Sequence, residues 1–176
     1  MKKFKFSFST IVLSLFLTLS QLSAFENASI ERRISDFRKA ISNNDWDGIV
    51  SVIPPRLLKT MAKNFDIEVD VLIAATKEQT KNSMASVSIV SFELDLENAI
   101  KNQSASGRIY LLIPTTTVFK IEESKVLGES HTLAFVDDEV WYLIRLGDGA
   151  QIGFVKEAYP EFENVNFPEG TINLVE

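Results

Sequence analysis

The spacing of apolar residues changes once along this chain, near Val87, and that change limits the folds open to it. Before it, apolar residues recur every three or four positions. After it, they alternate with polar ones. Helices first and strands afterwards is an α+β order, in which helices gather on an antiparallel sheet.

The helical half reads in four pieces. Ile30, Ile34, Phe37 and Ile41 predict a first helix, with Asn27 or Ser29 as its cap. Ser42-Asn43-Asn44 breaks it. Asp45 is placed to cap a short second helix with Trp46, Ile49, Val50 and Ile53 turned inward. Pro54-Pro55 stops that helix, and Pro55 suits the first turn of a third, where its missing N–H costs nothing. Leu57, Leu58, Met61, Ala62 and Phe65 form the third helix's apolar stripe. Ile67 to Ile73 alternates like a strand, but the following residues favour helix. Asp66, Glu68 and Asp70 also suit the positive end of a helix dipole, so a fourth helix is expected over about 68–82.

In the strand half, Val90, Phe92, Leu94 and Leu96 alternate with Ser91, Glu93 and Asp95. Residues 99–106 are polar and read as a loop or hairpin tip. Residues 108–113 read as a second strand; Pro114 then implies a bend or a sheet edge, before extended chain resumes over 115–121. Residues 125–136 and 139–146 make the clearest hairpin, turning at Asp137-Asp138. Asp148 and Gln151 have capping-box spacing and open a short helix with Ile152, Val155 and Tyr159 inward, ended by Pro160. From about residue 163 the chain reads as a tail. Phe37, Trp46, Leu133, Phe135 and Tyr142 are expected in one core.

Residues 1–24 carry an address. Lys2, Lys3 and Lys5 precede an apolar run, and Ala24 offers a small residue at a cut; this is the layout of a secretory signal peptide. The run is too short and too rich in Ser and Thr to make a membrane span. Cleavage after Ala24 would leave one domain, 25–176, that is periplasmic or secreted, with no membrane span. Three Lys and no acid leave with the segment, so the formal charge moves from −6 to −9. That acidity argues against nucleic acid, whose partners need clustered Lys and Arg. The chain has no Cys, so thiol catalysis, disulfides and Cys-ligated zinc are excluded.

The opening helix, the Asn44-Asp45-Trp46 break, the Pro-Pro-led third helix and the closing Asp137-Asp138-Glu139-Val140-Trp141-Tyr142 hairpin resemble the nuclear transport factor 2-like superfamily. The resemblance covers about 30–162. It implies a cystatin-like α+β roll, with N-terminal helices packed against a curved antiparallel sheet and a cone-shaped pocket between them. The superfamily holds enzymes, transport factors and binding modules alike, so the fold alone does not select a function.

No catalytic motif, metal-ligand spacing or cofactor fingerprint stands out. His131 is the single histidine, and beside Glu129 it has the makings of a general base. The plainer reading is a structural histidine. Tyr110 and Tyr142 lie on strands that could line a pocket. Arg145, between Ile144 and Leu146, and Arg108 could each grip a carboxylate through two N–H groups; the plainer reading of both is a surface ion pair. The candidate ligand-binding set is therefore Tyr110, Glu129, His131, Tyr142 and Arg145. The leading functional expectation is a non-catalytic protein that binds a small apolar ligand. A protein-interaction module or homodimer docking through the sheet face, with Trp141 and Leu143, comes second. An isomerase- or dehydratase-like enzyme using His131 comes third.

Overall fold

The structure is a computed structural model describing residues 28–175; the expected signal peptide and a cap at Asn27 lie outside the described residues. Helix α1 covers residues 28–42, burying Ile30 and Ile34. Ser29 lies within this helix, and its hydroxyl accepts a hydrogen bond from Trp141 Nε1 at 2.8 Å instead of capping it. Asp45 caps α2 (Trp46–Ser51) as expected, accepting from the Gly48 N–H at 3.0 Å. Pro55 opens α3 (Pro55–Asn64), which buries Leu57, Leu58 and Ala62. Phe65 falls just past its end and stays exposed, its ring 5.7 Å from Phe154. Helix α4 (Val69–Ser86) forms where helix was favoured over strand, and ends beyond residue 82. Only Leu72 of it is buried hydrophobic surface.

The remaining chain builds one antiparallel sheet that curls strongly into a half-barrel. Its spine is two long strands, β3 (Ile109–Ile121) and β4 (Ser124–Asp137), paired along their whole length. Each is flanked by two short strands placed end to end. β1 (Ser88–Leu94) and β2 (Ile100–Gln103) share the outer side of β3. β5 (Val140–Leu146) and β6 (Thr171–Val175) share the outer side of β4.

Two of these strands are corrections. Residues 100–103 form β2 and not a loop, and residues 171–175 form β6 and not a tail. Every residue in both is exposed: β2 shows no alternation, and β6 alternates Thr171 and Asn173 with Ile172 and Leu174 without burying either set. Their ladders to β3 and β4 hold them. A third correction concerns Pro114, which sits inside a central strand. Its carbonyl accepts from the Asp95 N–H at 2.9 Å, so its main chain faces the gap between β1 and β2. In an antiparallel ladder, N–H and C=O of one residue point to the same side. The donor that proline lacks is therefore missing where the neighbouring strand is already interrupted, and pairing with β4 is untouched.

The β4–β5 turn falls at Asp138-Glu139, one residue later than expected, with φ of 46° and 64°. Two such left-handed residues make the tight turn that matches strand twist. Moving the turn by one shifts the pairing by two, so each side chain keeps its face: Phe135 meets Tyr142 and Leu133 meets Ile144. Val90 points outward because a bulge between Ile89 and Ser91 leaves it without a partner.

Both faces of the sheet are covered, so the expected single core is two. One face carries Tyr110, Leu112, Leu133, Phe135, Ile144 and Leu146 under α3 and α5 (Gly149–Ala158), with Tyr159, Phe162 and Phe167. The other carries Ile113, Ala134 and Leu143 under α1 and Val52. Leu133 and Phe135 belong to the first and Phe37 to the second, while Trp46 and Tyr142 are only half-buried.

Helix α5 and the chain from its end to Gly170 form an insertion between β5 and β6. Asp148 caps α5 by accepting from the Gln151 N–H at 2.9 Å, and the Gln151 side chain accepts from the Gly147 N–H. The insertion closes where the Gly170 N–H donates to the Gly147 carbonyl at 3.1 Å. A Cβ on Gly170 would stand 3.0 Å from the Glu129 carbonyl, so the close approach needs glycine.

Candidate ligand-binding site

The outer edge of β5 is where the two helical covers part. Leu143 donates its N–H to the Val52 carbonyl at 2.9 Å, and Arg33 Nε donates to the Trp141 carbonyl at 3.0 Å. Odd-numbered residues of β5 thus present their main chain outward. The Leu143 carbonyl and the Arg145 N–H face the same way, and neither has a hydrogen-bond partner among the described residues.

Beside this stretch lies a cavity of about 280 Å³. Its walls come from four helical segments and one strand: Phe37 of α1, Val52 and Ile53 after α2, Met61 of α3, Phe154 of α5 and Leu143 of β5. Arg145 and Gln151 are its polar lining. An apolar hollow with a few placed polar groups is the usual form of a small-molecule site. Pro54-Pro55 separates α2 from α3, and residues on both sides of that break, Ile49, Val52, Ile53 and Leu57, line the cavity.

Arg145 reaches from this wall across β4. Its Nε donates to Ser130 Oγ at 3.2 Å. Its Nη2 lies 3.4 Å from where a Cβ on Gly128 would stand, so the guanidinium occupies the slot that Gly128 leaves open. Phe119 and the Thr117 carbonyl border the same slot. No carboxylate among the described residues pairs with Arg145. The residue is exposed as a whole, yet surrounding protein shields the head enough to lower its pKa.

The other sequence candidates do not converge on this cavity. Tyr110 is buried between Phe162 and Phe167, ring centroids 5.3 and 6.3 Å away, and burial raises its pKa. Tyr142 lines a separate hollow of about 360 Å³ with Arg56, Lys59 and the Asp137-Asp138 corner. Glu129 is exposed, and its Cα partners are Thr116 and Thr171. His131 stands between Pro114 and Leu146, half-buried, and its Nδ1 is buried without a hydrogen-bond partner. Trp141 and Leu143 lie under α1 and Val52, so they are not an open docking face.

Arg108, weighed as a carboxylate binder, pairs instead with two carboxylates of its own chain. It bridges Asp137 at 3.1 Å and Glu161 at 3.0 Å, donates to the Val136 carbonyl, and lies over the Phe135 and Tyr159 rings at 5.3 and 5.6 Å. Tyr159 donates to Asp137 at 2.9 Å. Burial, and then the Asp137 hydrogen bond and charge, push its phenol well above the usual range. The cluster joins the β4–β5 turn to the end of α5. No sequence spacing announced it, since its members lie far apart along the chain.

Among the described residues no group of three or more His, Asp or Glu could hold a metal ion, and no helix is long and apolar enough to cross a membrane. No family model, curated protein or solved structure matches this chain.

Proposed function

We propose that this is an exported, non-catalytic binding protein that takes a small apolar ligand in the cavity beside β5. The observation that carries this reading is the cavity itself, apolar on nearly every wall and bounded by an unpaired stretch of strand edge. Export rests on the layout of residues 1–24. Helices followed by a curled antiparallel sheet also support reading the fold as a nuclear transport factor 2-like roll. The cavity, however, lies at the β5 edge and not in a cone between one helix and the sheet.

A neutral apolar dye, N-phenyl-1-naphthylamine, tests the binding reading without regard to charge. Its fluorescence should rise on mixing with the protein. Met61→Trp, which fills the cavity, should weaken binding at least tenfold while the fold is retained. No binding by the wild type, or equal binding by the filled variant, would overturn the reading.

A protein partner is the second reading, and one observation favours it. Ile172 and Leu174 of β6 are 74% and 80% exposed on one face of an edge strand. Light scattering of wild type and Leu174→Glu measures it: a dimer that dissociates in the variant would move this reading to first place.

A further inference from the structure

We propose a second binding site, separate from the cavity, on the sheet at Gly128. It takes an alkyl carboxylate, with Arg145 on the head and the chain lying along Phe119, Ile172 and Leu174. Cross-strand partners place their side chains on one face of a sheet, and so do alternate residues of one strand. Thr117 and Ile172 are the partners of Gly128, and Phe119 and Leu174 are those of Val126, so all of them share one face. It is the face that α1 covers at Ala134, further along β4. Neither Gly128 nor Ile172 lines the cavity, so this site does not depend on the cavity reading.

The head of the ligand follows from four observations. Gly128 leaves a slot, and the Arg145 guanidinium lies in it beside the Phe119 ring. Ser130, itself buried, accepts from Nε at 3.2 Å, which fixes the fork and leaves both Nη groups without a hydrogen-bond partner among the described residues. Thr117 is buried too, yet its hydroxyl is not sealed from solvent and has no hydrogen-bond partner among the described residues, so a further donor stands beside the slot. The acids of the neighbouring strands are turned away: Glu93 and Glu129 both pair in register with Thr116 and share the opposite face. Arg145 thus keeps free donors in a chain whose acids outnumber its bases 24 to 18. A carboxylate matches a planar guanidinium through two parallel hydrogen bonds. The chain of the ligand follows from the same face. Ile172 and Leu174 are the two most exposed large apolar side chains among the described residues. They lie on the side of β4 that also carries β5, from which Arg145 reaches in. An exposed apolar strip beside a single cation suits an amphiphile with one negative charge; an inorganic anion would leave the strip unused.

The test is calorimetric titration of the folded protein with octanoate, octan-1-ol and acetate, which separates head from chain. Octanoate should bind about tenfold tighter than either of the others. Arg145→Met keeps the side-chain length and removes the charge, and should erase the preference over the alcohol. Gly128→Val keeps the charge but fills the slot at a position outside the cavity; it should weaken octanoate about tenfold, which locates the site. Ile172→Ser should weaken octanoate and leave acetate unchanged. Circular dichroism confirms that each variant is folded, and if one is not, the others decide. Octanoate binding no tighter than the alcohol, or unchanged by both Arg145→Met and Gly128→Val, would overturn the proposal. Octanoate binding lost in Met61→Trp but kept in Gly128→Val would place the acid in the cavity and overturn it as well. The neutral dye reports on the cavity by itself, so any of these failures leaves the cavity reading to its own test.

Discussion

The two faces of the sheet are built from alternate residues of the same strands and serve different ends. Under α3 and α5, Phe135, Tyr159 and Phe162 are completely buried and stack edge-on, with Phe135 4.9 Å from Tyr159 and 5.6 Å from Phe162. The Arg108–Asp137–Glu161 cluster seals the end of that face. Under α1 the side chains are smaller and partly polar: Ala134 and Leu143, with Thr115 and Thr132 sharing a hydroxyl hydrogen bond at 2.8 Å. There Phe37 is only half-buried, its ring edge-on to Phe92 at 5.7 Å. The first face is close-packed and ion-sealed; only at the β5 edge, where Met61 and Phe154 of its cover meet Phe37 and Leu143 of the other, is there room for a guest. The period-two alternation of side chains lets one set of strands serve both covers.

The largest effect that would sharpen this contrast is a pair of truncations. Phe135→Ala should cost about 3–5 kcal/mol, the penalty for emptying a full aromatic site. Phe37→Ala should cost about 1–2 kcal/mol, because a half-buried ring removes less surface from water. Urea melts give both numbers, and equal losses would mean that the two faces are packed alike.

A smaller effect concerns Tyr159. Its pKa in the folded protein is raised above the unfolded value, near pH 10. The stabilisation is complete below that value and is lost as pH climbs towards the folded one. Between about pH 9 and about pH 11, the wild type should lose on the order of 1 kcal/mol more than Tyr159→Phe. Parallel decline of the two proteins would show that Asp137 and burial do not hold the phenol protonated. The smallest effect belongs to β6: Leu174→Ser, at a residue 80% exposed, should change stability by less than about 0.5 kcal/mol. A loss above about 1 kcal/mol would reveal a cover over that strand.

Where side chains alternate between core and solvent, the sequence was a sufficient guide. The Asp45 cap, Pro55 at the start of α3, the Asp148 cap and the faces of the β4–β5 hairpin are all local matters of hydrogen bonding and period. β2 was illegible because its ladder pairing carries no trace in four exposed side chains, and β6 was missed although Ile172 and Leu174 alternate with Thr171 and Asn173, a five-residue signal too short to stand out from a tail. Pro114 misled because its permission to sit in β3 comes from Asp95, across the sheet. Of the candidate site, Arg145 was visible as a charge between apolar strand residues. The cavity was not, since Phe37, Met61 and Phe154 have the same pattern as core residues. Only their meeting at the outer edge of β5, from three different helices, makes them a wall.

The end-to-end arrangement of the short strands also bears on self-association. A long bare strand edge is a template on which another chain can add a strand. Here the 13- and 14-residue strands lie wholly inside the sheet, and its flanks are strands of four to seven residues. Pro114 and the Gly147–Gly170 neck mark where those flanks are broken. The molecule gains the span of a long sheet while exposing to its own copies only short, interrupted edges.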